Sequence, residues 1–160
     1  MSPENTSASA QIAAAFHTLT ASAKRNKVVT DELSRHVSSV EQALARLNLC
    51  IGCWTLISES TIDGVEHERL YVGFQEFHHK WRILIKSATE SDYKPEEPDE
   101  TKWVFDSAPQ FLRLRAIDKL ADLIDGLAKT TDSTTDRLKK KLDAARDVAS
   151  GIQAALTQKQ

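Results

Sequence analysis

The sequence predicts an α+β fold in which two long coiled-coil-like helices, one at each end of the chain, form an antiparallel hairpin. A small antiparallel sheet of three or four strands is inserted between them. The prediction rests on apolar residues at alternating steps of three and four in both terminal parts of the chain, and at every second residue in the middle. We treat residues 1–160 as a single domain, made of helix 3–51, β insert 53–105 and helix 107–157.

Composition and charge exclude several classes of protein. The formal net charge of −2 excludes a chain-wide basic surface, so any nucleic-acid-binding surface has to be local. No apolar run approaches the roughly 18 residues that a membrane-spanning helix needs. Residues 1–11 lack the basic and apolar regions of a secretory signal, and the sequence has only two cysteines. We therefore expect a cytoplasmic protein with free thiols and no membrane partner.

The N-terminal helix is predicted over residues 3–51, and Gly52 is expected to end it in a left-handed conformation. Its apolar residues follow a heptad pattern, which is interrupted only at Asn26 and Thr30. A heptad pattern of this length is typical of a coiled coil rather than of an ordinary globular helix. The apolar seam consists of Ile12, Phe16, Leu19, Ala23, Leu33, Val37, Val40, Leu44, Leu47 and Ile51.

The middle of the chain changes to a period of two, which is typical of strands. We predict strands at residues 54–60, 68–77 and 80–88, joined by turns at 62–65 and 77–80. Alternation in the second and third strands gives one apolar and one mostly polar face, as in a half-covered antiparallel sheet. The apolar face carries Leu70, Val72, Phe74, Trp81, Ile83 and Ile85.

An acidic stretch follows at residues 90–100, where six carboxylates accompany a single lysine and two prolines. Such a concentration of like charge opposes compact packing, so we expect an exposed and mobile loop here. A short edge strand is predicted after it, at residues 102–105.

The C-terminal helix is predicted over residues 107–157, with Ser107 as its N-cap and Pro109 in its first turn. Its middle, residues 130–135, is poor in helix-forming residues. The step from Leu138 to Leu142 interrupts the strict heptad and would locally unwind a supercoil. The seam consists of Ile117, Leu120, Ile124, Leu127, Thr131, Thr134, Leu138, Leu142, Ala145, Ala149, Ile152 and Leu156.

The two seams can pair with each other in an antiparallel hairpin. In this register Leu44 faces Leu120 and Ile12 faces Ile152, and the polar middle segments of both helices fall at nearly the same height. The same seams could instead build a dimer, and both arrangements are compatible in a four-helix bundle.

Basic residues of both helices come together in this register. The belt they form could bind an anion, either nucleic-acid phosphates or the acidic segment 90–100 of another subunit. An ordinary solvated helical surface is the alternative, and like charges across a coil would oppose the pairing. The belt consists of Lys24, Arg25, Lys27, Arg137, Lys139, Lys140 and Lys141.

Cys50 and Cys53 form a CxxC motif, but they follow a helix C-terminus, where the helix dipole raises a thiol pKa instead of lowering it. A zinc site would need two more ligands, for which His78 and His79 are the nearby candidates. Adjacent histidines at a strand end point to opposite sides, which disfavours that site. We interpret the cysteines as structural and expect neither a metal nor a cofactor.

The polar face of the predicted sheet is a candidate partner-binding surface. Alternation places Arg69, Tyr71, Arg82 and Lys86 on it, together with Gly73, Gln75 and Leu84. Arginine and tyrosine around a central glycine could bind a peptide, an acidic protein or single-stranded nucleic acid. An ordinary solvent face, or one covered by helices of a partner chain, is the alternative.

No catalytic motif is evident: His17, His36 and His67 are scattered, none is expected to pair with a nucleophile or a carboxylate, and no glycine-rich loop is present. We expect a non-enzymatic interaction or assembly protein that forms a dimer or tetramer through its heptad seams and presents a sheet face or rod tip to a protein partner. The alternative is a nucleic-acid-associated factor that uses the basic belt.

The outline of helix, antiparallel strands and helix is similar to the prefoldin arrangement of a coiled coil attached to β-hairpins. The resemblance lies in the order of the elements, and no prefoldin sequence motif is present. It implies a chaperone-like or adaptor-like function as a further alternative.

Overall fold

The computed structural model describes residues 4–157, apart from the side chains of residues 4–7 and 94–97. Three α-helices and a four-stranded antiparallel sheet make up this part of the chain. In sequence order the strands come after the N-terminal helix and before the C-terminal helices, so the α+β class is confirmed. The chain divides into two compact units, Met1–Arg46 and Leu47–Gln160.

The first unit is helix α1, Glu4–Arg46, a single helix of 43 residues. The expected end at Ile51 is wrong, because the helix stops five residues earlier and a turn follows at residues 47–48. Asn48 takes the left-handed conformation (φ 49°) that was expected of Gly52. Asparagine tolerates this conformation better than most residues, so it can end the helix before the glycine is reached.

The sheet is a meander in the order β1–β2–β3–β4. Its strands are β1 Cys53–Ile62, β2 Glu66–Phe77, β3 Lys80–Ser91 and β4 Lys94–Val104. Each neighbouring pair is antiparallel, as the period-two pattern predicts. The first three strands contain the segments predicted from sequence and are each longer than expected.

Two tight turns fix the registers of these strands. Asp63 (φ 51°) and Gly64 (φ 70°) are both left-handed, and Val65 N donates to Ile62 O at 3.2 Å. That is the mirror-image turn that matches the twist of a hairpin and that an Asp-Gly pair favours. His78 (φ 49°) and His79 (φ 63°) take left-handed conformations in the next turn.

The acidic segment 90–100 is not the loop that its charge suggests. It forms the end of β3 and most of β4, with a two-residue turn at Asp92 and Tyr93 between them. Lys86 supplies a counter-charge, since its Nζ donates to Glu100 Oε1 at 3.3 Å. Ladder hydrogen bonds and cross-strand cations therefore offset the repulsion among the carboxylates.

The prediction of a single C-terminal helix is also wrong. This part of the chain forms two helices, α2, Gln110–Ile117, and α3, Leu120–Thr157. Ser107 belongs to a preceding 3₁₀ turn, Phe105–Ser107, and its Oγ donates back to Val104 O instead of capping a helix. The break redirects the chain across the sheet: α2 contacts β3, whereas α3 contacts β1 and β2. Two helices thereby cover strands that one straight helix would not reach.

The core lies between the sheet and these two helices. The apolar face predicted from alternation is buried in β2 and β3, and Leu123 and Leu127 of α3 are buried as well. A Cβ atom built on Gly126 would lie 3.0 Å from Cys53 Sγ, so the glycine allows α3 to approach β1 closely. The fully buried residues on this face of the sheet include Val72, Ile83 and Ile85, and Leu84 is fully buried on the opposite face.

Helix α3 continues without a break through its polar middle. Thr130 Oγ1 donates to Gly126 O at 2.8 Å, and Thr131 Oγ1 donates to Leu127 O at 2.7 Å. These bonds satisfy hydroxyl groups that otherwise compete for backbone partners. No helix in the described part of the chain combines the length and apolar character needed to cross a membrane.

A core substitution tests this packing. Leu123 is fully buried, so Leu123→Ala should lower the free energy of unfolding by about 2–5 kcal/mol in urea denaturation followed by circular dichroism. Leu114→Ala is the matched control, because Leu114 is 54% exposed in α2 and its truncation should cost under about 1 kcal/mol. Equal losses in the two variants would contradict the placement of α3 on the sheet.

Candidate functional site

The sheet has two chemically different faces. One face packs against α2 and α3 and is called the helix face; it carries Val72 and Phe74. The other is called the Trp54 face, where Gly73 pairs with Trp54 on β1 and with Leu84 on β3. Directly paired residues of neighbouring strands share a face, so the strand register shows on which of the two faces each remaining sheet residue lies.

Trp54 lies flat against the sheet at Gly73. A Cβ atom built on Gly73 would lie 2.3 Å from Trp54 Cε3, far inside van der Waals contact, so only a glycine leaves room for the ring. Leu84 lies next to Gly73 on β3 and is fully buried. Leu84 therefore lies on the predicted face, but its side chain is not accessible there.

A network of cations and aromatic rings surrounds Trp54. Lys86 Nζ lies 4.8 Å from the Trp54 ring centroid and 4.9 Å from that of Tyr71. Lys102 Nζ lies 5.8 Å from the Trp54 ring. Glu100 bridges the two ammonium groups, at 3.3 Å from Lys86 and 3.8 Å from Lys102. Cation–π attraction and the bridging carboxylate thus hold both lysines against the rings.

Arg69 forms a second network on the same face. Its Nε donates to Glu59 on β1 and its Nη1 donates to Glu90 on β3, each at 2.8 Å. The hydrogen bond that Arg69 donates to Glu59, together with the charges of Glu90 and Glu59, raises the pKa of Arg69 above its already high ordinary value. The arginine therefore ties three strands together.

The predicted partner-binding residues Arg69, Tyr71, Arg82 and Lys86 do share one face, as the register shows. The charges of Arg69 and Lys86 are held by carboxylates of the chain itself, so the face is not a simple anion-binding patch. What remains for a partner is aromatic surface and the exposed side chain of Leu56, which is opposite Tyr71.

Sequence reasoning missed Trp54, Lys102 and Glu100 as members of this surface. The small residue Gly73 within an otherwise bulky strand was the available signal, since it indicates close approach by another group. Pairing β1 with β2 in sequence would have placed Trp54 opposite it.

The four candidate metal ligands are placed in different surroundings. Cys50 is exposed in the segment after α1, and Cys53 begins β1 beside Gly126 of α3. His78 and His79 form the β2–β3 turn. Within the described residues, no group of three or more histidine, cysteine, aspartate or glutamate side chains is arranged to hold a metal ion.

The basic-belt residues are all exposed on their own helices. Lys24, Arg25 and Lys27 lie within one turn of α1, and the other four, at 137 and 139–141, lie within two turns of α3. Each group offers positive charge to solvent on its own.

The expectation that no histidine pairs with a hydroxyl or a carboxylate is wrong for His67. Thr61 Oγ1 lies 3.2 Å from His67 Nδ1, and His67 Nε2 lies 3.4 Å from Asp92 Oδ1. Asp92 N also donates to Val65 O at 3.0 Å, so this row joins the β1–β2 turn to the β3–β4 turn. Its evident role is to connect the two hairpins at the end of the sheet.

Neither a scan against protein-family models nor searches of curated proteins and of solved structures finds a match to this chain.

A substitution at Gly73 tests the close approach of Trp54. Gly73→Ala should displace the indole ring, lower the free energy of unfolding by about 1–3 kcal/mol and shift the Trp54 indole resonance in an NMR spectrum. In a Trp54→Ala background, Gly73→Ala should lower the free energy of unfolding much less than it does in the wild type, because the clash is then absent.

The matched control is Gly151→Ala, since a Cβ atom at Gly151 meets nothing within 4 Å. In α3 this change should be neutral or stabilise by up to about 1 kcal/mol. If Gly73→Ala behaved like Gly151→Ala, the contact between Trp54 and Gly73 would be contradicted.

Proposed function

We propose that this chain is a non-enzymatic assembly protein that oligomerises through the apolar seams of its two long helices. The observation that carries the proposal is that the N-terminal part of the α1 seam and the C-terminal part of the α3 seam lie exposed on long continuous helices. Large exposed apolar stripes on a soluble helix are typical of surfaces that bind another helix.

The seam of α3 is the clearer of the two. From Leu138 onward its seam residues are apolar and recur at steps of four and three, as the core positions of a coiled coil do. All of them are exposed, including Leu138 at 63%, Leu142 at 49% and Ile152 at 57%. The exposed seam consists of Leu138, Leu142, Ala145, Ala149, Ile152 and Leu156.

The seam of α1 is exposed over its N-terminal half. Ile12, Phe16 and Leu19 are 70%, 68% and 63% exposed, although they are spaced to form one apolar stripe. Val37 and Leu44, further along the same seam, are buried. The exposed part of α1 therefore has the same need for a partner as the distal part of α3.

Helical propensity alone does not account for these helices. Isolated helices are marginal in water, and most helical stability in proteins comes from packing of an apolar face. The polar middles of α1 and α3 add residues with poor helix propensity. Burial of the seams in a coiled coil would supply the missing stabilisation.

A second copy of the chain is the occupant that we favour for these seams. An antiparallel hairpin of α1 and α3, with Leu19 facing Ala145 and Ile12 facing Ile152, is compatible with it, because two such hairpins can form a four-helix bundle. In this register the like-charged basic belts of the two helices lie at the same height, which opposes the pairing whether it forms within one chain or between chains.

The Trp54 face would then serve as a second contact surface, for a protein partner. Its aromatic rings and the exposed Leu56 suit protein recognition, in which tyrosine and tryptophan are enriched. We place the assembly in the cytoplasm, where the free Cys50 and Cys53 would stay reduced.

The assembly proposal predicts a dimer or tetramer in light scattering, with little response to salt. A Leu142→Glu/Ile152→Glu variant should be a monomer, because carboxylates would be buried in the seam. The matched control is Ala144→Glu/Ala154→Glu, which adds the same charge to exposed positions of the same helix and should keep the wild-type mass.

A wild-type monomer at every concentration would contradict the proposal, as would an equal loss of mass in both variants.

The nucleic-acid alternative is distinguished by the salt dependence of binding. Binding of an oligonucleotide through the basic belt should weaken by orders of magnitude between about 50 and 200 mM salt, whereas a seam-held oligomer should not.

A further inference from the structure

A cleft lies between α2 and the helix face of the sheet, beside Ser58, Ser60 and Ser87. Its volume is about 380 Å³, within the range of small-molecule sites. Residues from all four strands line one side, and residues 109–115 line the other.

A β-bulge and three serines create this space. The pairing of β1 with β2 shifts between Leu56 and Ser58, so that Ile57 is the extra residue and Ser58 turns to the helix face opposite Leu70. Ser87 pairs with Leu70 from the other side, and Ser60 follows on β1. These small side chains occupy the rows that follow those of Val72 and Phe74, so the helix face becomes shallow and polar beneath α2.

Aromatic side chains form the apolar walls of the cleft. Trp103 of β4 is half-buried, and Phe111 of α2 is 63% exposed at the rim. Leu70 and Leu112 are buried and form the apolar floor. An aromatic or aliphatic group of a ligand would gain burial against these residues.

Opposite charges stand on the two sides. Glu68 is on β2, where its Oε1 accepts a hydrogen bond from Ser87 Oγ at 3.4 Å, and Arg115 is on α2. Both side chains line the cleft, and neither forms an ion pair with another residue in the part of the chain whose side chains are described. The sheet thus offers an acceptor for a cation, and α2 offers a guanidinium for a carboxylate.

We propose that this cleft binds a small zwitterion with an apolar body, of the α-amino acid class. The ammonium group pairs with Glu68, the carboxylate pairs with Arg115, and the side chain lies against Phe111 and Trp103. Because the cleft is built wholly from residues 58–115, the proposal does not depend on the helical seams or on assembly.

The test is an NMR titration of the ¹⁵N-labelled full chain with L-phenylalanine, up to about 10 mM. We expect saturable shift changes confined to residues around the cleft, above all Ser87 and Phe111. N-acetyl-L-phenylalanine lacks the cation and L-phenylalaninamide lacks the carboxylate, so each should bind about tenfold or more weakly.

Glu68→Gln and Arg115→Gln should each weaken L-phenylalanine about tenfold. Their matched controls, Glu76→Gln and Arg137→Gln, change exposed residues of β2 and α3 outside the cleft and should leave the affinity unchanged. The same spectra report whether each variant is folded. Absent or non-saturating shifts, or binding of either singly charged derivative as tight as that of L-phenylalanine, would overturn the proposal.

Discussion

The main constraint on this structure is that α3 packs against the sheet only near its N-terminal end. Leu123 and Leu127, both near its N-terminal end, are its buried residues, and they pack where α3 contacts β1 and β2. Yet α3 has 38 residues and is about 57 Å long at 1.5 Å per residue. From residue 135 to Thr157 every residue of α3 is exposed, including the apolar residues of its seam. Assembly through the seams, as we propose, would bury this exposed apolar stripe.

The acidic segment of the chain has a role that its composition conceals. As part of the β3–β4 hairpin it supplies Glu90 to Arg69 and Glu100 to the lysines beside Trp54. The positive charges that made the Trp54 face resemble an anion-binding surface are thus balanced by carboxylates of the same sheet. A partner would recognise this face by its aromatic surface and shape more than by charge, since desolvating charges that are already paired contributes little to binding.

Sequence periodicity predicted the features that are determined locally, by alternation within strands and by the residues of tight turns. The apolar face of β2 and β3 and the Asp63–Gly64 turn both follow from nearest-neighbour rules. What it missed are departures from these patterns. The break before Leu120 and the bulge at Ile57 interrupt patterns that continue through them in the sequence, and α1 ends before Gly52 because Asn48 already takes the left-handed conformation. The cleft could not be predicted for the same reason, because regular alternation places Ser58 on the face opposite to the one it occupies.

The most direct test of the central claim is hydrogen exchange over a range of protein concentrations. If the seams are covered in an assembly, amides at residues 12–19 and 138–156 should exchange slowly at high concentration and faster on dilution, whereas amides of β2 and β3 should stay protected throughout. Rapid exchange of both helical segments at every concentration, with the sheet still protected, would show that the seams have no partner and would contradict the account.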